Sequence, residues 1–216
     1  RERVRRMAAL VRAHAGAEPA AVVLLLPQGI DLVTAMLGVL EAGDWYVPLD
    51  LAGERSALRE LVRRAETRLV LACASTAGLA AEAAAGTCAI ARTESLDDFE
   101  PGDGPVPPGD PGALAYVYFT SGTTGAPKGV VDTHRNLLHN VLRYTNALHV
   151  TAHDRLTLLQ PAHFSGAVSN VFGALLNGAL LLPYDVARDG AGAPLARWMA
   201  RVRPTMIHGV PSLFRG

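Results

Sequence analysis

The run from Tyr118 to Val130, YFTSGTTGAPKGV, sets the hydroxyls of Thr120, Ser121, Thr123 and Thr124 beside two glycines, Gly122 and Gly125, and a lysine, Lys128. Residues of these types at this spacing suit the grip of an anion, above all a phosphate. The hydroxyls donate hydrogen bonds. The glycines let the backbone adopt conformations closed to other residues and approach a ligand closely. Successive backbone N–H groups in such a turn form an anion-binding nest. Pro127 restricts Ala126 to extended conformations and steers the chain onward. Lys128 is the only lysine of the chain, which writes every other fixed positive charge as arginine. A lysine ammonium is a compact charge on a flexible stem and suits a phosphate that moves during reaction, whereas the arginine fork suits fixed bidentate recognition.

The spacing excludes one familiar phosphate loop. A Walker A sequence needs G-x-x-x-x-G-K-[ST] followed by a helix. Counted from Gly122, the second glycine would fall at Pro127, and Gly129 stands where Ser or Thr is required. The segment after Lys128, GVVDTH, also reads as a strand.

The elements that must carry this loop follow from apolar patterning. Residues 1–15 place Val4, Met7, Leu10, Val11 and His14 at helical spacing, ended by Gly16. The continuous apolar run 20–26, AAVVLLL, has the pattern of a strand buried on both faces. Residues 29–43 read as a helix with Ile30, Val33, Met36, Leu37 and Leu40 on one stripe, and WYVPL (45–49) as a strand whose Trp45–Tyr46 pair belongs to the core. ERSALRELVRRA, RLVLAC, TAGLAAEAAAG and TCAIA continue the alternation. Beyond residue 112 come the strand ALAYVYFT, the loop, the strand GVVDTH, and the helix HRNLLHNVLRYTNAL with Thr133 as its expected N-cap and His134 as a structural residue at its start. Then follow strand RLTLLQ, helix SNVFGALLNG, strand ALLLPY, a helix around 195–202, strand TMIHGV and a helix start at Pro211. Strands alternating with helices of this length predict an α/β fold, with doubly wound, mostly parallel sheets and flanking helices. Residues 97–112 are acidic, rich in Pro and Gly and without periodicity, so we expect two subregions, about 1–96 and 113–216, joined by that loop.

Composition narrows the function. The 216 residues are half hydrophobic and carry a formal net charge of zero, which argues against a nucleic-acid binder, since phosphate-backbone affinity needs a basic excess or stripe. The opening RERVRR is mixed in sign and reads as a solvated helix face. Cys73 and Cys88 have no second pair and no histidine at metal-ligand spacing, and no metal site is expected. They are expected to be buried free thiols in a reducing compartment, hence a cytoplasmic protein. No apolar run is long enough to span a bilayer and no signal peptide is visible.

The segment YVYFTSGTTGAPKGVVDTHRNLLHN resembles the phosphate-binding core motif of the acyl-adenylate-forming superfamily, which includes acyl-CoA synthetases, luciferases and the adenylation domains of nonribosomal peptide synthetases. AMLGVLEAGDWYVPLD (35–50) resembles the LKAGxxYVPLD motif of peptide-synthetase adenylation domains, and FGALLNGALLL resembles the helix and strand beside the family's acyl pocket. The resemblance extends over essentially the whole chain. It implies ATP-dependent, AMP-forming activation of a carboxylic acid as an acyl-adenylate, with release of pyrophosphate. The acyl group would then pass to the phosphopantetheine thiol of a carrier protein or to coenzyme A. Thr120, Ser121, Gly122, Thr123, Thr124, Gly125, Lys128 and Gly129 would hold the nucleotide phosphates, Lys128 guiding pyrophosphate departure, and Mg²⁺ would travel with the ATP.

His163, Phe164, Ser165, Gly166 and His208 fall where the resemblance implies the substrate pocket. The peptide-synthetase pattern reads Phe-Asp-x-Ser, with the Asp pairing the substrate's α-amino group; here Ser165 stands in place of that Asp. A neutral hydroxyl cannot supply the charge-assisted pairing of an ammonium, which points to an aryl or other carboxylic acid, or to an amino acid held differently. His163 has two readings, a pocket wall or a helix-start residue without a ligand. The chain opens at Arg1 within a helix pattern and closes as a new periodicity begins, so we expect a piece of a longer synthetase. The family's adenine and ribose motifs and its second, catalytic lysine are not found in these 216 residues, and the chain alone is expected not to complete adenylation. A free-standing acyl- or aryl-CoA ligase and a truncated nucleotide-binding remnant are the alternatives.

Overall fold

A computed structural model describes residues 1–102, 109–120 and 127–214. The elements run α1 (Glu2–Ala15), β1 (Ala21–Leu25), α2 (Ile30–Ala42), β2 (Trp45–Pro48), α3 (Arg55–Arg64), β3 (Leu69–Ala72), α4 (Ala77–Ala84), β4 (Ala89–Arg92), β5 (Leu114–Thr120) and β6 (Lys128–Thr133). After these come α5 (His134–Leu148), β7 (Arg155–Leu158), α6 (Gly166–Leu176), β8 (Leu180–Pro183), α7 (Val186–Asp189) and α8 (Ala193–Val202), with short 3-10 turns at Ala74–Thr76, Thr93–Asp98 and Pro211–Phe214. The α/β alternation and the mostly parallel sheets expected from the periodicity are present.

The chain divides into two compact units, Arg1–Pro27 with Asp31–Arg135, and Gln28–Ile30 with Asn136–Gly216. Residues 113–135, beyond the Pro- and Gly-rich stretch, thus belong to the first unit. The reason is pairing: β5 lies against β2 in parallel, with Tyr46 opposite Tyr116, and carries β6 into the same sheet.

In the first unit six strands form one sheet in the order β4-β3-β1-β2-β5-β6, parallel except for the antiparallel β5–β6 pair. All five residues of β1 are buried, as a strand covered on both faces requires. Its alternate residues Ala21, Val23 and Leu25 join Leu58 and Val62 of α3 and Ala80, Ala83 and Ala84 of α4 in one core. Val22 and Leu24 point to the opposite face and are equally buried, and α1 packs against β3 and β4. Helix α1 buries Met7, Ala8, Leu10, Val11 and Ala15, so the stripe ends on Ala15 and leaves His14 outward. Helix α2 departs further from its expected stripe. Ile30 is 65% exposed while Leu32, Val33, Ala35, Met36, Gly38 and Val39 are buried, since a helix that is apolar nearly all round is enclosed rather than laid on a surface. The α1–α2 contact is close: a Cβ on Gly38 would collide with the Met7 side chain.

The second unit holds a parallel pair, β7–β8, with Val150, Leu156, Ala174 and Ala179 at its centre and a smaller cluster of Leu159, Tyr184 and Leu195. The strand expected over TMIHGV shrinks to a single bridge between Leu156 and Met206. The His208 backbone N–H turns to the Thr157 hydroxyl instead of a strand carbonyl, and Gly209 and Pro211 follow. Tyr46 is fully buried and Trp45 packs at the core margin. Cys73 and Cys88 are free but only half-buried, at variance with the full burial expected of them. Among the described residues no helix is long and apolar enough to cross a membrane, and no three His, Cys, Asp or Glu side chains gather as a metal site.

Candidate functional site

Thr120 ends β5 and Lys128 begins β6, and the two are directly opposed in the antiparallel register. The strands thus bring both ends of the hydroxyl- and glycine-rich run together. Thr120 Oγ1 donates to the Lys128 carbonyl at 3.4 Å, and both side chains are exposed, so an ammonium and a hydroxyl stand at the mouth of the loop. Ser121, Gly122, Thr123, Thr124 and Gly125 lie outside the described residues. Gly129, opposite Phe119, is a close-approach position: a Cβ there would meet Val117 Cγ1 at 3.2 Å and the Phe119 ring at 3.5 Å.

Two supports of this corner were not read from the sequence. Arg64, at the end of α3, donates to the Pro127 carbonyl at 3.2 Å, immediately before Lys128. Glu60 holds Arg64 from one turn earlier, Nε to Oε1 at 2.7 Å, and also takes Arg63 with both oxygens. Hydrogen bonds from Arg63 and then Arg64 pull the Glu60 carboxyl down to about 2. The only trace in the sequence is an i,i+3/i,i+4 charge pattern common to many solvated helices. The second support is Tyr116, whose hydroxyl donates to Asp132 Oδ2 at 2.7 Å across the β5–β6 pair. Burial first, then that hydrogen bond, pushes the Tyr116 phenol far above its ordinary value, so it remains a donor at any working pH. Tyr116 packs against Tyr46 (ring centroids 5.6 Å) and edge-on against Tyr118 (5.0 Å). The alternation Tyr-x-Tyr in the strand was the available signal, since it places two rings on one face.

In the second unit the residues 163–166 form the approach to α6. The His163 and Phe164 rings pack with centroids 4.5 Å apart, and Phe164 is 57% exposed. Ser165 sits just before α6 and its side chain makes no capping hydrogen bond. Gly166 is a steric requirement: a Cβ there would collide with the Gln160 carboxamide. His208 meets α6 one turn further on, at Asn170. His208 Nδ1 lies 2.9 Å from Asn170 Oδ1, and the Tyr144 hydroxyl donates to the same oxygen at 3.3 Å. A carboxamide oxygen only accepts, so His208 Nδ1 carries a proton and donates to it. Asn170 is fully buried, and its Nδ2 has no partner among the described residues. Tyr144 and His208, their rings stacked 6.1 Å apart, line a cavity of about 440 Å³ with Leu148, Met206 and Ile207. His134, expected to be structural, begins α5, its backbone N–H donating to the Ala113 carbonyl.

A family model for AMP-binding enzymes matches residues 1–216. Among curated proteins, syringomycin synthase SyrB1 of Pseudomonas syringae pv. syringae is 32% identical over 197 residues, covering 89% of this chain and 31% of that protein. Among solved structures, the AMPPNP-bound form of the nonribosomal peptide synthetase FmoA3 superposes with a TM-score of 0.82 at 28% identity, over 98% of this chain and 22% of its own. ATP-bound MatB from Rhodopseudomonas palustris gives 0.85 at 22% identity, over 98% of this chain and 43% of its own, a likeness of fold. The chain thus spans about a third or less of the length of the curated relatives it matches.

Proposed function

The chain belongs to the AMP-binding enzyme family, and from that premise we propose that it is part of an adenylation domain that activates a carboxylic acid with ATP for transfer to a carrier-protein thiol. The observation that carries the reading is the placement of the sole lysine, Lys128, across from Thr120 at the mouth of the TSGTTG run. An exposed ammonium, a hydroxyl and the glycines of that run make a donor set suited to a polyphosphate. In this reading Thr120 to Gly125 orient the β- and γ-phosphates, Gly129 lets the strand pass without a side chain, and Lys128 follows the departing pyrophosphate with its charge. Mg²⁺ arrives with the nucleotide. Charge held in place by the fold stabilises the negative charge that spreads as the phosphoanhydride opens, which is the main demand of this chemistry.

The acid binds beside α6, between the segment His163–Gly166 and His208. Ser165 offers no carboxylate to an α-ammonium, so the substrate is an aryl or other carboxylic acid, or an amino acid oriented by other groups. Carrier phosphopantetheine is the acceptor in the reading we favour, supported by the likeness to peptide synthetases and by the YVPLD sequence at 46–50; coenzyme A is the second. The free thiols of Cys73 and Cys88 support a reducing, cytoplasmic setting.

The test is acid-dependent ATP–pyrophosphate exchange by the full protein that carries this chain, screened over amino, aryl and fatty acids. Exchange with one class, lost in Lys128→Ala, is the expected result. Exchange undiminished by Lys128→Ala would overturn the role given to Lys128, and nucleotide binding without exchange for any acid would identify a remnant.

A further inference from the structure

Strand β6 has little buried surface to fix its position. It is the outermost strand of its sheet, and Lys128 to Val131 are all exposed, Val130 and Val131 at 51% and 56%. Register is strongly specified where one face of a strand is buried and weakly where neither is. The connection 121–127 is seven residues long, well beyond the two-residue turns that impose register by their own geometry. The ladder is also irregular between Leu114 and Tyr116. Yet register matters here. Side chains alternate between faces, so a slip of one residue would carry the Lys128 ammonium to the side of the sheet away from Thr120.

One cross-strand pair opposes such a slip. Tyr116 and Asp132 are directly opposite each other, and the Tyr116 hydroxyl donates to Asp132 at 2.7 Å. Tyr116 is only 4% exposed, packed between Tyr46 and Tyr118. Tyr46 in turn sits on β2 in register with Tyr116. Tyr116, Tyr118 and Thr120 share a face, and across from them stand Asp132, Val130 and Lys128. The pair therefore reads the register on the face where the lysine must appear.

We propose that the Tyr116–Asp132 hydrogen bond is a register lock, and that these two are positioning residues that hold Lys128 on the face of Thr120. The lock stands on strand geometry; its consequence for nucleotide rests on the proposed function. The test uses disulfide trapping in the full protein that carries this chain, with Cys73→Ala and Cys88→Ala and the cross-links mapped by mass spectrometry. Val117→Cys with Val131→Cys reports the observed register, and Val117→Cys with Val130→Cys reports a slip of one. Tyr116→Phe and Asp132→Ala should raise the ratio of slipped to observed cross-link roughly tenfold, as loss of a charge-assisted hydrogen bond implies. Asp132→Asn, which keeps an acceptor oxygen for Tyr116, should hold the ratio within about threefold of the parent. MgATP affinity by calorimetry should fall in Tyr116→Phe in proportion to the fraction of chains that leave the observed register, and should stay near the parent's in Asp132→Asn. Equal ratios in all variants, with circular dichroism showing each folded, would overturn the lock. Should Tyr116→Phe fail to fold, Asp132→Ala against Asp132→Asn decides alone. A parent that binds no MgATP would contradict the nucleotide reading, while the cross-link ratios would still support or overturn the lock by themselves.

Discussion

At the scale of single residues, the proposed chemistry rests on Lys128 and Ser165. Lys128 is exposed at the start of β6, where a flexible ammonium can follow a phosphate without losing contact. Ser165 stands before α6 with its hydroxyl uncommitted to a helix cap. Ser165→Asp would add a carboxylate at that point, and a charge-assisted pair contributes about 1.5–3 kcal/mol. We expect kcat/KM for acids bearing an α-ammonium to rise by one to two powers of ten relative to their deamino analogues; an unchanged ratio would remove Ser165 from the pocket. The hydroxyls, glycines and lysine of the loop could be proposed as a phosphate grip from the sequence because their chemistry is written in consecutive letters. Asp132 was not, since its partner Tyr116 is distant along the chain and the pair exists only once strand register is known. Asn170 was hidden likewise, a polar residue inside an apolar helix whose role depends on His208 and Tyr144.

Among the elements, close packing and buried charge offer sharper tests than propensity. Gly38 faces Met7 with no room for a methyl group. Gly38→Ala should destabilise the fold by about 1–3 kcal/mol despite alanine's better helix propensity, because overpacking outweighs the roughly 1 kcal/mol gained in the helix; a variant melting above the parent would contradict that contact. Asp44 is buried and accepts the Ala20 backbone N–H at 2.7 Å. Burial raises its carboxyl above the ordinary 3.8, against the pull of that hydrogen bond and of Arg68 and Arg12. Folding therefore favours the protonated form: the contribution is complete below pH 3.8 and is lost as pH rises through the folded value. Asp44→Asn keeps the acceptor without the charge, so its stability relative to the parent should increase on going from about pH 3.5 to about pH 7, as read from urea denaturation. The elements themselves were largely legible, since β-branched runs and helical spacing are local signals. TMIHGV failed because its apolar letters suit a strand while its hydrogen bonds, turned to Thr157 and ended by Gly209 and Pro211, allow only a bridge. The stripe assigned to α2 failed because periodicity locates one apolar face and this helix is enclosed on nearly all sides.

For the molecule as a whole, a parallel α/β frame places a short antiparallel pair at one sheet edge and uses it to present the chain's one lysine. Periodicity revealed the α/β class. The Pro- and Gly-rich stretch marked a change of texture, whereas the division at residue 135 follows from which strand pairs with which. The single lysine also makes the central claim directly measurable, because a reagent for ε-amino groups has one target in the sequence. Pulse labelling with an amine-reactive ester, mapped by mass spectrometry at Lys128 with and without MgATP, asks whether the nucleotide phosphates engage that ammonium. At saturating MgATP the labelling rate at Lys128 should fall by roughly tenfold or more, as expected for a lysine held in a charge-assisted bond. An unchanged rate at a nucleotide concentration shown by calorimetry to saturate the protein would contradict the account.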